Sequence, residues 1–576
     1  MNKYMEEYRH WMDSPALSES EWKELSEIEN DVEEIKSRFF APLEFGTAGL
    51  RGVMGMGINR MNRHVVRHAT QAFASVICAE GEAAMKRGVV ICYDCRENSE
   101  LFARSAAAVM AANGIFVRIF DAMRPTPELS FAIRKYGAIA GINVTASHNP
   151  REYNGYKVYW ADGAQLPPEH AETIAKGMSE IDIFTGIKKM TFNEAQSAGL
   201  VETIGSETDE DFLNNVLAQS IDRAVVARVA DNFKIVYTPF HGAGHKLVPE
   251  ALRRLGMKHI IPVPQQMIID GTFPTVKSPN PEEPAGFYLA IELAKHENCD
   301  LIIGTDPDSD RVGIMVRNSS GEFVPVTGNQ TGVLLLDYII NARRNAGSLP
   351  DNAAVIKTIV TTEMVREIAQ QNGIHIDDTF TGFKFMAEKI AEYEKDGSFK
   401  YILAFEESYG YMIGDYVRDK DAVTASMLIA EMAAHYYEKG MTLLQALDSL
   451  YEKYGYYAEK TLNLVMPGID GLEKMQNLMT SLRETPPPEI HEVKVLRERD
   501  YSNGKIIVPG LGAVDKTHIV GSNVLYFELE DDSSFIIRPS GTEPKIKIYI
   551  LVNGDSKQQC DAKIEKYVSF AQSLKK

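Results

Sequence analysis

Residues 88–144 read GVVICYDCRENSELFARSAAAVMAANGIFVRIFDAMRPTPELSFAIRKYGAIAGINV. Short Val/Ile-rich runs (VVICYD, IFVRIF, AGINV) alternate with helical stretches at 100–113 and 128–136. That alternation predicts a parallel sheet with helices on both faces. The last apolar run, 138–144, empties into Thr145-Ala146-Ser147-His148-Asn149-Pro150. Asn149-Pro150 cannot prolong a helix, so Ser147 is expected on a turn at a strand end, where α/β proteins carry their chemistry. Taken alone, the hexapeptide reads as an ordinary turn whose side chains bond their own backbone.

The same rhythm restarts at Phe233 (FKIVYTPFHGAG), with a helix through Leu255, a strand at 259–264, a helix at 287–296 and a strand at 301–304. It restarts again near Ala353, with two helices flanking 379–384 and a strand at 401–405. Three α/β units in series follow, without a sequence-level repeat. Ahead of them, residues 1–40 mix Glu, Lys, Trp and Leu without Gly and predict one or two amphipathic helices, a structural extension. After Ala422 the chain reads as helical to about Arg483, and Thr485-Pro486-Pro487-Pro488-Glu489 reads as a stiff linker. A separate C-terminal α+β domain is expected beyond it, with strands at 524–529, 534–537 and 545–552 and a last helix. The expected division is 1–220 (helical extension and first α/β domain), 221–325, 326–484 and 485–576.

At 576 residues the chain is too long for one core. A formal net charge of -19 opposes a nucleic-acid or anionic-membrane role, so any phosphate site must be a local cationic pocket. No apolar run approaches the roughly 18 residues that span a bilayer, and the acidic, polar start is unlike a signal peptide; the cytoplasm is expected. Five cysteines do not make a disulfide framework. Cys92-x-x-Cys95 ends an apolar strand with no second Cys/His pair at zinc spacing and reads as structural.

Several loops carry chemistry. The apolar run 301–304 leads into Thr305-Asp306-Pro307-Asp308-Ser309-Asp310-Arg311. On extended backbone Asp306, Asp308 and Asp310 face one way and repel unless a hard cation such as Mg²⁺ joins them. A calcium loop fits poorly, because Arg311 stands at position six and Arg317 at position twelve. The glycine-rich EFGTAGLRGVMGMG from Glu44 carries Arg51 and permits close backbone approach. FTGFKF from Phe380 carries Lys384, and FEESYGY from Phe405 offers Glu406 and Ser408 to sugar hydroxyls. Arg538-Pro539-Ser540-Gly541-Thr542-Glu543-Pro544 joins a guanidinium, two hydroxyls and an open glycine N–H, which suits a phosphate dianion.

Together these residues resemble the α-D-phosphohexomutases, in the phosphoglucomutase and phosphomannomutase branch, over nearly the whole chain. TASHNP is similar to the family's phosphoserine loop, TDPDSDR to its metal loop, FEESYG to its sugar-recognition loop and RPSGTEP to its phosphate-binding loop, in family order. The resemblance implies three tandem α/β domains with mixed sheets plus a C-terminal α+β domain around a central active-site cleft. It implies an isomerase that interconverts glucose 1-phosphate and glucose 6-phosphate, with mannose phosphates as further substrates, through a phosphoserine and glucose 1,6-bisphosphate as intermediate and activator. Ser147 is then the phosphoryl carrier and, with Asp306, Asp308 and Asp310, a ligand of Mg²⁺. Arg51, His148, Lys157, Arg311 and Lys384 fall on reaction-centre positions. Glu406 and Ser408 match sugar contacts; Arg538, Ser540, Gly541 and Thr542 match contacts to the non-reacting phosphate. Some relatives end the sugar loop with a histidine where this chain has Gly410, so the resemblance leaves acid/base duty to Lys384, His148 or Lys157. Phosphopentomutases share FGTAGLRG, TGFK and the long N-terminal extension, and are the alternative within the class. Outside it stand a sugar-phosphate binding protein, a phosphatase, and a serine hydrolase, which would want Gly-x-Ser-x-Gly.

Overall fold

The computed structural model describes residues 2–46, 49–466, 471–540 and 545–574. They form two compact units: Met1–Gly328 with Ala387–Ala391 and Ser408–Thr442, and Asn329–Met386 with Glu392–Glu407 and Leu443–Lys576.

The first unit holds two sheets. One runs in the order Leu50–Val53, Tyr153–Trp160, Ala140–Val144, Val89–Tyr93, Val117–Phe120, Val201–Ile204. Its central strands pair in parallel and are buried residue by residue, as a sheet covered on both faces requires. The expected parallel sheet is mixed at one edge. Residues 145–152 are too few for a crossover connection, so Tyr153–Trp160 returns antiparallel beside Ala140–Val144, and Leu50–Val53 pairs antiparallel with it in turn. Ser147 therefore lies in a hairpin connection. Close approach is real at Gly49, where an added Cβ would sit 1.9 Å from the Tyr156 carbonyl oxygen.

The second sheet orders Phe323–Val326, Val312–Arg317, Leu301–Thr305, Lys234–Thr238, His259–Pro262, again parallel inside with antiparallel strands at one edge. Helix Ala422–Glu438, buried along most of its length, packs on helices Gly244–Leu255 and Arg223–Val229 of this unit. The N-terminal segment forms three helices rather than one or two: Lys3–Met12, Glu19–Ser26 and Val32–Phe39. The breaks fall at Ser18, which makes a capping box with Glu21, and at the N-cap Asp31. Trp11, Leu25, Ile35 and Phe39 join the core of the first sheet, with the Trp11 and Phe184 rings 5.2 Å apart, so the extension shares that core. All five cysteines are free; Cys92 is buried, and burial pushes its thiol far up.

The second unit joins the parallel strands His375–Thr379, Ala353–Thr358 and Lys400–Phe405 to an antiparallel C-terminal sheet. That sheet corrects the reading of 422–483 as wholly helical. Between helices Leu443–Tyr454 and Gly471–Glu484 lies the strand Tyr456–Val465, paired along its length with Lys545–Gly554. Gly455 at φ 96° turns the chain out of the helix, and the partner strand arrives from far downstream, beyond the reach of local pattern. Among the described residues no helix is long and apolar enough to cross a membrane.

One carboxyl in this sheet makes stability depend on pH. Glu498 is 0% exposed, neither of its oxygens has a hydrogen-bond partner among the described residues, and burial raises its pKa to about 7. A carboxyl whose folded pKa is raised adds no penalty below its unfolded value, and costs stability as pH climbs through about 7. Glu498→Gln is expected to be near neutral at pH 5 and to raise stability at pH 8 by on the order of 2 kcal/mol in urea unfolding. An equal effect at both pH values would refute this account.

Candidate active site

The strand Leu301–Thr305 is buried throughout and delivers Asp306 at its end. The backbone does not stay extended beyond it. Ser309 takes φ 51°, its N–H donates to the Asp306 carbonyl (2.9 Å), and Asp306 Oδ1 accepts the N–H groups of Asp310 (3.1 Å) and Arg311 (3.0 Å). The three aspartates converge because a tight turn folds over the first of them, and not through alternation along a strand. They are 0%, 0% and 1% exposed, and one oxygen from each lies within 4.8 Å of the others.

The surrounding donors hold the outer oxygens. Asp308 Oδ2 accepts from Lys157 Nζ (2.7 Å) and Thr126 Oγ1 (2.9 Å), and Asp310 Oδ2 pairs with Lys420 Nζ (3.1 Å). Asp308 Oδ1 and Asp310 Oδ1 are buried without a hydrogen-bond partner among the described residues. Burial, then the charges of Asp308 and Asp310, push the Asp306 carboxyl well above the usual carboxylate range. Burial also pushes Asp308 up, but the ammonium of Lys157 outweighs it and holds that carboxyl far below its ordinary value. Orphaned buried oxygens on convergent carboxylates fit a hard divalent cation, so the triad can hold a metal.

The serine loop meets this triad. Ser147 is 3% exposed and sits at φ 51°, a conformation a non-glycine residue keeps only when its surroundings impose it. Its Oγ donates to Asp306 Oδ2 (2.9 Å) and lies 3.2 Å from His148 Nδ1, while its N–H donates to Thr145 Oγ1 (2.8 Å). Burial, with the charges of Arg311 and Arg51, holds His148 well below its ordinary pKa and so uncharged at neutral pH. The edge pairing aligns Arg51 with Gly155 and Asn143 with Lys157, which brings both cations to the serine end of the sheet. Arg51 Nη1 donates to Asn149 Oδ1 (3.1 Å), and Arg311 Nη1 to Glu282 (2.7 Å).

Seven residues expected from the sequence are thus gathered with Ser147 in the first unit: Arg51, His148, Lys157, Asp306, Asp308, Asp310 and Arg311. In the same unit Tyr409, next to Ser408, accepts the Val312 N–H (3.1 Å), and Gly410 bridges to Arg311. Lys384, Glu406, Arg538 and Ser540 belong to the second unit. There the Gly382 N–H donates to Glu406 (2.6 Å), the Lys384 ammonium stands 4.5 Å from the Phe385 ring centroid, and the Ser540 N–H donates to Lys545 (2.8 Å). Gly541 and Thr542 lie outside the described residues.

Sequence reasoning missed three groups that touch the triad or brace it. Thr126 donates to Asp308 and receives a hydrogen bond from Asn143 Nδ2 (2.7 Å). Lys420 bridges Asp310 and Asp419 (3.1 Å to each). A signal existed for the last: Asp419-Lys420-Asp421 directly precedes the largely apolar helix Ala422–Glu438, where a buried charge run needs partners.

A buried hydroxyl against a triad able to hold a cation, with basic side chains close by, has the parts that phosphoryl transfer uses. The sequence comparisons carry that class to a family. The profile described as "Phosphoglucomutase/phosphomannomutase, alpha/beta/alpha domain I" matches residues 42–183, and those of domains II and III match 210–321 and 327–454. A phosphoglucomutase of Staphylococcus aureus (strain MRSA252) is 34% identical over 532 residues, 92% of each chain. One of Staphylococcus haemolyticus (strain JCSC1435) is 33% identical over 530 residues, 92% of this chain and 94% of its own. The fold is also that of the crystal structure of a putative phosphomannomutase from Thermus thermophilus, with TM-score 0.68 at 20% identity, covering 92% of this chain and 99% of the other. The chain belongs to the phosphoglucomutase/phosphomannomutase family of α-D-phosphohexomutases. It is a phosphohexomutase, an isomerase that works by intramolecular phosphoryl transfer.

Proposed function

We propose that the protein interconverts glucose 1-phosphate and glucose 6-phosphate in the cytoplasm, through phosphorylated Ser147 and glucose 1,6-bisphosphate. The observation that carries the reading is the 2.9 Å hydrogen bond from Ser147 Oγ to Asp306, which sets the nucleophile against the metal triad. In the forward half-reaction a sugar hydroxyl gives up its proton as it attacks the phosphorus, the bond from phosphorus to Ser147 Oγ breaks, and that proton is passed on to Oγ. After the bisphosphate turns round, Oγ gives up its proton as it attacks the other phosphate, the bond from that phosphorus to the sugar oxygen breaks, the proton passes to the sugar oxygen, and Ser147 recovers the phosphoryl group. His148 Nδ1, 3.2 Å from Oγ and uncharged, is placed to take and return this proton. Mg²⁺ held by Asp306, Asp308, Asp310 and an oxygen on Ser147 would supply charge stabilisation on the transferring phosphoryl group.

The remaining roles follow from charge and hydrogen-bonding capacity. Arg51, Lys157, Arg311 and Lys384 are the cations that offset charge on the phosphoryl oxygens. Glu406 and Ser408 bond sugar hydroxyls; Arg538, Ser540, Gly541 and Thr542 bind the phosphate that does not react, and must accept either end of the sugar. Water kept from the phosphoserine makes the site a mutase rather than a phosphatase. Intact-mass measurement of the purified, bisphosphate-treated enzyme is expected to show one phosphate, mapped by peptide to Ser147; an active enzyme that never carries it would refute the reading. The names of the reported relatives favour glucose over a pentose. The kcat/KM for glucose 1-phosphate is expected to exceed that for ribose or deoxyribose 1-phosphate by about 10²-fold or more. A large pentose preference would overturn the choice of sugar.

A further inference from the structure

We propose that Arg96 is the positioning residue of the serine loop, and that Phe273 locks it in place. The inference rests on the reading of Ser147 as phosphoryl carrier. Arg96 follows the central strand Val89–Tyr93 and is 3% exposed. Its Nη2 donates to the carbonyl oxygens of Ser147 (2.6 Å) and Asn149 (2.5 Å), and its Nη1 to those of Pro150 (2.8 Å) and Tyr153 (2.9 Å). One planar guanidinium thus satisfies four carbonyls of the hairpin, three in its connection, including that of Ser147, and one at the first residue of the returning strand. Asp94 lies 3.3 Å from Nε and is fixed by the Arg96 N–H (2.9 Å) and the Ser99 hydroxyl (2.8 Å).

The guanidinium is also met by the segment that links the second-sheet strands His259–Pro262 and Leu301–Thr305. The Phe273 ring centroid is 5.1 Å from the Arg96 guanidinium carbon. Gly271 passes so near that an added Cβ would lie 2.6 Å from both Cys95 O and Glu97 N. This covering segment is pinned by His241, whose Nδ1 is 2.7 Å from Ile268 O and whose Nε2 is 2.8 Å from Thr275 Oγ1. The next residues of the same turn brace the metal loop: the Ala243 N–H donates to Pro307 O (2.8 Å), and a Cβ on Gly242 would lie 2.4 Å from Pro307 Cα. One turn therefore fixes the triad and, through Phe273 and Arg96, the loop that must present Ser147 to it.

The consequence is kinetic. Ser147 holds its φ of 51° because its neighbours impose it, and the bond at Ser147 O is part of that constraint. A displacement of about 1 Å at a reacting centre costs roughly 10²-fold in rate. Lysine keeps the charge but has a compact, tetrahedral donor group that cannot span four carbonyls. Arg96→Lys is accordingly expected to lower kcat by about 10²-fold with KM for glucose 1-phosphate within about twofold, because Arg96 donates to the loop backbone while substrate affinity rests on other residues. Phe273→Leu, which keeps an apolar group but removes the ring, is expected to lower kcat by about 5- to 10-fold with the same unchanged KM. Both rates are taken per folded molecule, from circular dichroism melts, with phosphate at Ser147 checked by intact mass. The predicted kcat losses at constant KM, in folded and phosphorylated variants, support the clamp. Arg96→Lys turning over within threefold of wild type while phosphorylated overturns it, as does activity lost only in proportion to unfolded protein, or a raised KM at constant kcat. A wild-type enzyme that transfers without ever carrying phosphate on Ser147 refutes the reading beneath, and the clamp with it.

Discussion

Ser147→Ala is expected to lose mutase turnover by on the order of 10⁴-fold or more, because the substitution removes the atom that carries the phosphoryl group rather than one that assists it. Incubation with glucose 1,6-bisphosphate bearing labelled phosphate should leave the variant unlabelled while wild type takes up one equivalent. Binding of the bisphosphate itself should persist, since none of the cations or hydroxyls assigned to it is altered. The fold should persist as well. The lost hydrogen bond to Asp306 is worth about 1 kcal/mol, and alanine inherits the same left-handed backbone that serine already tolerates. Mutase activity within tenfold of wild type would remove Ser147 from the mechanism and leave the triad without its nucleophile.

What could be read without coordinates followed from locality. The strands 89–93, 140–144, 234–238 and 301–305 announce themselves as short apolar runs, and the serine loop and the aspartate triad follow the second and the last of them. The residue types at Ser147 and at Asp306, Asp308 and Asp310 were legible for the same reason. The geometry was not: the triad converges by a turn at Ser309 that hydrogen-bonds back to Asp306, and alternation on a strand was the wrong mechanism for a correct grouping. Long-range partners were invisible. The strand Tyr456–Val465 exists because Lys545–Gly554 pairs with it, and Thr126 and Arg96 matter only through residues they meet in space. Thr126 is the first residue of helix Thr126–Tyr136 and Arg96 lies in the turn after Val89–Tyr93, and nothing in their local sequence points to those partners.

Asp306→Asn separates a metal site from a merely structural acidic cluster, because the two accounts give opposite signs for stability. Asparagine can keep a carbonyl oxygen where Asp306 Oδ1 accepts the N–H groups of Asp310 and Arg311, so the turn should survive. What disappears is one of three buried negative charges, the one that burial and its two neighbours already drive toward the protonated form. Without metal, the variant should therefore melt at the same temperature as chelated wild type or above it. Wild type should gain stability as Mg²⁺ is added, by about 2.7 kcal/mol at one hundred times the dissociation constant, and the variant should gain little of this. Turnover should fall by about 10³-fold in the variant, and chelation should silence wild type until Mg²⁺ is returned. A structural cluster predicts the reverse: a lower melting temperature for the variant without metal, no response to Mg²⁺ in either protein, and turnover that follows the folded fraction. The orphaned oxygens of Asp308 and Asp310 argue for the first outcome, since a cluster built for stability alone would have paired them.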